Sequence, residues 1–214
     1  MDRVQPQQLT DLDVSDETFI GAMDLAAADV RQCTQFDAPA MPGMMFWSRV
    51  NRYIAEELTD PKRVSPRPHW NRTQRDSILR VVHPAGSHAI TAISAAGGVG
   101  DLTKKVRSKN PKGRAMAALV RANEQLAFMS RDEMEFGAEL DTMPLWCLLY
   151  KRTETGLLHA ELSLPVRMNG KYVDEWQVRF PIHMPPLDPG VDVALRDAPG
   201  DDEGPDVQVE FVGE

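Results

Sequence analysis

Two cysteines in 214 residues, Cys33 and Cys147, are too few for a disulfide framework, and no C-x-x-C pair marks a metal knuckle or redox centre. Both lie in apolar periodic segments, which reads as two buried, reduced thiols. Long apolar runs are missing too. None approaches the roughly 20 residues that a membrane helix needs. The polar start MDRVQPQQLTDLDV lacks the basic-then-apolar order of a signal peptide. The expectation is a soluble, cytoplasmic chain with no membrane partner. The five histidines form no H-x-x-x-H or H-E-x-x-H pair, and there is no G-x-S-x-G elbow. No cofactor and no metal are expected.

What the chain does have is segregated charge. The net charge is -8, yet residues 49–115 hold 14 basic and 5 acidic residues, against 10 and 27 elsewhere. An acidic total disfavours indiscriminate nucleic-acid binding but leaves room for a local basic face. The competing reading is that acidic segments simply fold against the basic one.

Periodicity predicts an α+β domain, with N-terminal helices and a central helix on a largely antiparallel β-sheet. Residues 1–59 read as a helical region, 60–190 as the α+β core of the same domain, and 191–214 as an acidic tail or edge strand. A helix is predicted from Ser15 to Phe36, striped by Phe19, Met23, Ala26, Val30 and Cys33. A second is predicted from Met44, after the loop DAPAMPG, and stops at Pro61. Residues 60–76 read as an extended basic loop. Ile78–Val82 and Ala89–Ile93 read as a hairpin around HPAGSH, with His83 and His88 facing each other across it. A third helix is capped at Asn110, with Pro111 at its first position. A three-stranded meander follows. For its second hairpin, a three-residue loop Asn169–Lys171 pairs Leu164 with Trp176, Leu162 with Val178 and Glu161 with Arg179, which keeps apolar residues together.

Between the first hairpin and the third helix lies AAGGVGDLTKKVRSKNPKGR, in the order of a phosphate loop. The spacing fails. Five residues after Gly97 stands Leu102, where a Walker loop needs Gly, and Thr103 stands where a dinucleotide loop needs its last Gly. The glycines and the helix start are also too far apart to converge on one anion. The segment reads instead as a mobile basic connection. Arg67, Arg72, Arg75, Lys104, Lys105, Arg107 and Lys109 are the candidate contacts to an acidic partner, nucleic acid or protein.

A second constellation is His159, Glu161 and His183, which the predicted register puts on one strand face. It suggests a two-histidine-one-carboxylate site or a general base, hence a metal-assisted hydrolase or nuclease. Glu135, Glu139 and Asp141 would add carboxylates, but Ser163 stands where a nuclease's D…E-x-K pattern has lysine. The plainer alternative pairs Glu161 with Arg179 on a polar solvent face.

Taken together, HWNRTQRDSILRVVHPAGSHAITAIS, SKNPKGRAMAALVRANEQL, LWCLLY and HAELSLPVRMNGKYVDEWQVRFPI resemble a family of uncharacterised actinobacterial proteins found in prophages and other mobile elements. The resemblance covers roughly residues 66–183 and implies a mobile-element or phage-defence setting but no activity. The leading expectation is a non-enzymatic binding or regulatory protein. The hydrolase is the alternative, and the long loops and two-faced sheet also permit a structural protein or homo-oligomer.

Overall fold

The computed structural model describes residues 7–60, 69–128, 143–153 and 158–185. Among these residues three α-helices lie on a seven-stranded, mostly antiparallel sheet, an α+β architecture. After a 3-10 turn at Leu9–Leu12, helix α1 spans Asp16–Val30 and buries Phe19, Ala22, Met23, Ala26 and Val30. It ends six residues before Phe36, because Thr34 donates its backbone N–H to the Asp37 carboxylate (2.7 Å) and closes a turn. Cys33 therefore lies beyond the helix and is half-buried. Helix α2 spans Met41–Thr59 and starts earlier than Met44. Pro42 falls in its first turn, where a missing N–H costs nothing.

Strand β1 is Asn71–Arg75, within a stretch expected to be irregular, and β2 is Ile78–Val82. Asp76 (φ 52) and Ser77 (φ 60) are both left-handed between them. That is the geometry of a tight hairpin turn usually written with Asn and Gly, so Asp-Ser hid it. Strand β3 is Ala89–Gly97, and the short β4, Val106–Ser108, pairs with its end. Helix α3 is Arg114–Phe128. It begins after Pro111 rather than at it, because the preceding residues are used elsewhere: Lys109 N–H bonds Ser94 O (3.0 Å) and Lys112 N–H bonds Lys171 O (2.7 Å).

The meander is β5 (Leu145–Arg152), β6 (Leu158–Asn169) and β7 (Tyr172–Ile182). The sheet runs β1-β2-β3-β5-β6-β7, with β4 beside β3. Among the described strands, only β3 and β5 pair in parallel, the connection that α3 crosses. Strand β5, apolar on both faces, is central as its composition demands.

The second hairpin's register differs from the one predicted. Its turn is the two residues Gly170 and Lys171, pairing Asn169 with Tyr172, and irregularities between Leu164 and Met168 then shift the pairing. Beyond them Leu164 faces Val178, Leu162 faces Phe180 and Ser163 faces Arg179. Pro165 lies in the irregular stretch, and a proline offers no N–H to a ladder.

Side-chain alternation divides the core in two. Ile90, Ala92, Trp146, Leu148, Tyr150, Ala160 and Leu162 pack beneath α1 and α2. Ala89, Ile93, Leu145, Cys147, Leu149 and Val173 pack beneath α3 with Met116, Leu119 and Val120. Buried asparagines fix both helices. Asn51 of α2 donates to Ala92 O (3.1 Å) and accepts from Ala92 N–H (3.0 Å), so it satisfies a stretch of β3 that β2 leaves unpaired. Asn123 of α3 donates to Leu145 O and Pro165 O and accepts from Leu145 N–H, each at 2.9 Å.

Strand β7 meets β4 from the far side. Trp176 Nε1 donates to Val106 O (2.9 Å), and Val173 N–H donates to the Ser108 hydroxyl (3.1 Å). Strands β3, β5, β6, β7 and β4 thus surround the second core, and the 98–105 segment covers one end.

Candidate functional site

The glycine-rich segment is built around a buried ion pair. Glu161 on β6 is fully buried, and Arg179 on β7 reaches it diagonally with Nε at 2.8 Å and Nη2 at 2.7 Å. Ser163 Oγ and Gly100 N–H donate to the same carboxylate, each at 2.8 Å. The guanidinium's other donors go to the carbonyls of Lys104 (2.9 Å), Gly98 (3.2 Å) and Asp101 (3.3 Å). A phosphate cradle turns N–H groups inward onto an anion. This loop turns three carbonyls inward onto a cation.

Two further features hold the loop in shape. Gly97 has φ +92, and a Cβ there would collide with the Lys105 carbonyl oxygen. Asp101 accepts from the Thr103 hydroxyl (2.6 Å) and backbone N–H (3.0 Å) and pairs with Lys104 (3.0 Å). The Thr103 hydroxyl first, then Lys104, hold its carboxyl down to about 2. Gly97→Ala is expected to cost at least about 2 kcal/mol, because left-handed backbone and collision add. A urea-unfolding midpoint checks this; a change near zero would mean that the loop relaxes.

The loop delivers its cations to one side. Val106 and Ser108 of β4 are buried, while Lys105, Arg107 and Lys109 are exposed. Residues two apart on a strand share a face, at about 6.5–7 Å spacing. These three cations therefore form a row. Arg107 lies over the Tyr172 ring, 4.8 Å from its centroid, which fixes its position. Lys104 is drawn to Asp101 instead. Beside the row runs an open groove of ≈ 390 Å³ lined by Lys104, Lys105, Val106, Asp174, Trp176 and Arg179 among others.

The other predicted contacts lie apart from this row. Arg72 and Arg75 are exposed on β1 at the sheet's edge, Arg75 beside Asp76 (3.8 Å). Arg67 lies outside the described residues, as do Glu135, Glu139, Asp141 and the 191–214 tail.

The structure does not assemble His159, Glu161 and His183 into one site. Every oxygen of Glu161 is engaged by the partners above, in a buried pocket rather than on a solvent face. His159 is exposed, and His183 is 91% exposed with Asp16 at 3.6 Å. Among the described residues no three His, Cys, Asp or Glu side chains are grouped to hold a metal ion. Cys147 is fully buried, and burial pushes its thiol up to about 12. No described helix is long and apolar enough to cross a membrane.

A second polar cluster was only half legible in the sequence. His83 and His88 do face each other across the β2–β3 turn, stacked with centroids 4.9 Å apart. Trp70 stands edge-on to both rings, and Asp13 and Ser87 bond to them.

Comparison with protein-family models, curated proteins and solved structures gives no match.

Proposed function

We propose that this chain is a non-enzymatic binding protein whose β4 face engages single-stranded nucleic acid. The observation that carries this reading is the row Lys105, Arg107 and Lys109. Three exposed cations recur at about the spacing of a strand's alternate residues, on a backbone held by a buried ion pair. Regularly spaced cations suit a backbone of regularly spaced phosphates. A fixed scaffold also lowers the ordering cost of binding. The mobile-element or phage-defence setting belongs to the same proposal and rests on the sequence resemblance.

The test is fluorescence anisotropy with a short single-stranded oligonucleotide. Lys105→Glu, Arg107→Glu and Lys109→Glu together are expected to weaken binding by about 10–100-fold at moderate salt. Arg72→Glu with Arg75→Glu is expected to weaken it much less. Equal losses from both sets would place the contact elsewhere. Binding only to an acidic protein would replace nucleic acid as the partner.

A further inference from the structure

Sulfur is concentrated at one place in the chain. Three of the 11 methionines, Met41, Met44 and Met45, stand together at the start of α2. Positions i, i+3 and i+4 share one face of a helix. Cys33, in the turn after α1, meets this face: its Sγ lies 3.8 Å from Met45 Sδ. Two sulfurs bound at about 2.3 Å to one ion, in trigonal or tetrahedral geometry, lie about 3.8–4 Å apart. The Cys33–Met45 separation already matches that. The segment that carries Cys33 is held at both ends, by Cys33 N–H on Val30 O (3.0 Å) and Met41 N–H on Ala38 O (2.8 Å). Core packing does not account for the cluster. Met44 is 61% exposed and Met41 37%, while Cys33 and Met45 are half-buried.

We propose that Cys33 and Met45, with a third sulfur from Met41 or Met44, form a binding site for the soft monovalent cation Cu(I). Thiolate and thioether ligands select Cu(I) over harder divalent ions. Cys33 binds as the thiolate: its sulfur gives a lone pair to the ion, and the S–H proton leaves to water. The thioethers are neutral, so one thiolate and one monovalent cation give a centre with no net charge. That suits a site half-sheltered from water, where an unbalanced charge is costly. Methionine's three rotatable bonds let an exposed thioether swing onto the ion. Histidine and carboxylate, the ligands of harder ions, form no such group among the described residues. The thioethers supply a donor set of a different kind.

The experiment adds Cu(I) to the full chain, anaerobically and with excess ascorbate, in competition with the coloured Cu(I) chelator bicinchoninate. One Cu(I) per chain is expected to resist the chelator, and X-ray absorption is expected to show sulfur neighbours at about 2.3 Å. Cys33→Ser is expected to weaken binding by at least about 100-fold, and Met45→Leu, which conserves volume, by about 10-fold. Met41→Leu with Met44→Leu is expected to weaken it by about 10-fold as well. Unfolding midpoints of each variant separate a lost ligand from a lost fold. Cys147→Ala removes the other thiol and is expected to leave the affinity unchanged. Loss of all the Cu(I) to equimolar chelator, native affinity in a folded Cys33→Ser or Met45→Leu variant, or lost binding in a folded Cys147→Ala variant would overturn the proposal.

Discussion

Arg179→Ala is expected to destabilise the fold by about 3–5 kcal/mol, the range for removing one partner of a buried ion pair. The cost comes mostly from what is left behind. Glu161 is fully buried and would keep only the Ser163 hydroxyl and Gly100 N–H as donors. The loop carbonyls of Gly98, Asp101 and Lys104 would lose the guanidinium at the same time; those of Gly98 and Asp101 keep a backbone N–H, from Asp101 and Lys104. Lysine is no substitute, since its ammonium lacks the fork that reaches the carboxylate and loop together. Replacing both partners, Glu161→Leu with Arg179→Met, is expected to recover much of the ion-pair loss, because no buried charge remains. Chemical denaturation of the two single variants and the double variant forms the cycle. A loss below about 1 kcal/mol for Arg179→Ala would mean that water reaches the carboxylate.

The second large effect is on acid stability. Burial first, and then the neighbouring His83, lower the His88 pKa from 6.5 to about 4. The unfolded chain therefore takes up this proton before the folded chain does. The stabilisation is complete above about pH 6.5 and falls as pH drops, by about 1.4 kcal/mol per unit, until about pH 4. The total is about 3 kcal/mol. Unfolding midpoints measured across this window, against a His88→Asn variant, check it. The variant starts less stable at neutral pH and is expected to lose less on acidification. Parallel losses in both proteins would contradict the assignment.

Much of the fold was legible because hydrophobic periodicity was strong. Ala89–Ile93, Leu145–Tyr150 and the β6 run could be read as strands from composition. The α2 stripe of Val50, Ile54 and Leu58 could be read from spacing. The Glu161–Arg179 pair was legible as opposite charges on neighbouring strands, although the wrong register brought them together. Its burial was not legible, since that depends on the 98–105 segment folding over it from some 60 residues away. Strand β4 is three residues long and carries only Val106 as an apolar residue. Strand β1, NRTQR, has almost no apolar face. Periodicity has nothing to work on in either case. Asn110-Pro111 imitated a helix start, but neighbouring backbone groups claimed that segment first. The cation row was contained in the list Lys104, Lys105, Arg107 and Lys109, but seeing that Lys104 leaves it required Asp101 in place. Ser87 sits beside the histidines in HPAGSH, but Asp13 meets His83 only through tertiary contact, and no local pattern announced it.

The central claim is that a clamped loop presents Lys105, Arg107 and Lys109 to a phosphate backbone. The most direct measurement is the dependence of oligonucleotide affinity on salt concentration, for the native chain and for the chain with these three residues neutralised to glutamine. Each phosphate contact on a single strand adds about 0.7 to the slope of log affinity against log salt, so losing three is expected to lower it by about 2. An unchanged slope, or no binding by the native chain at low salt, would contradict the account.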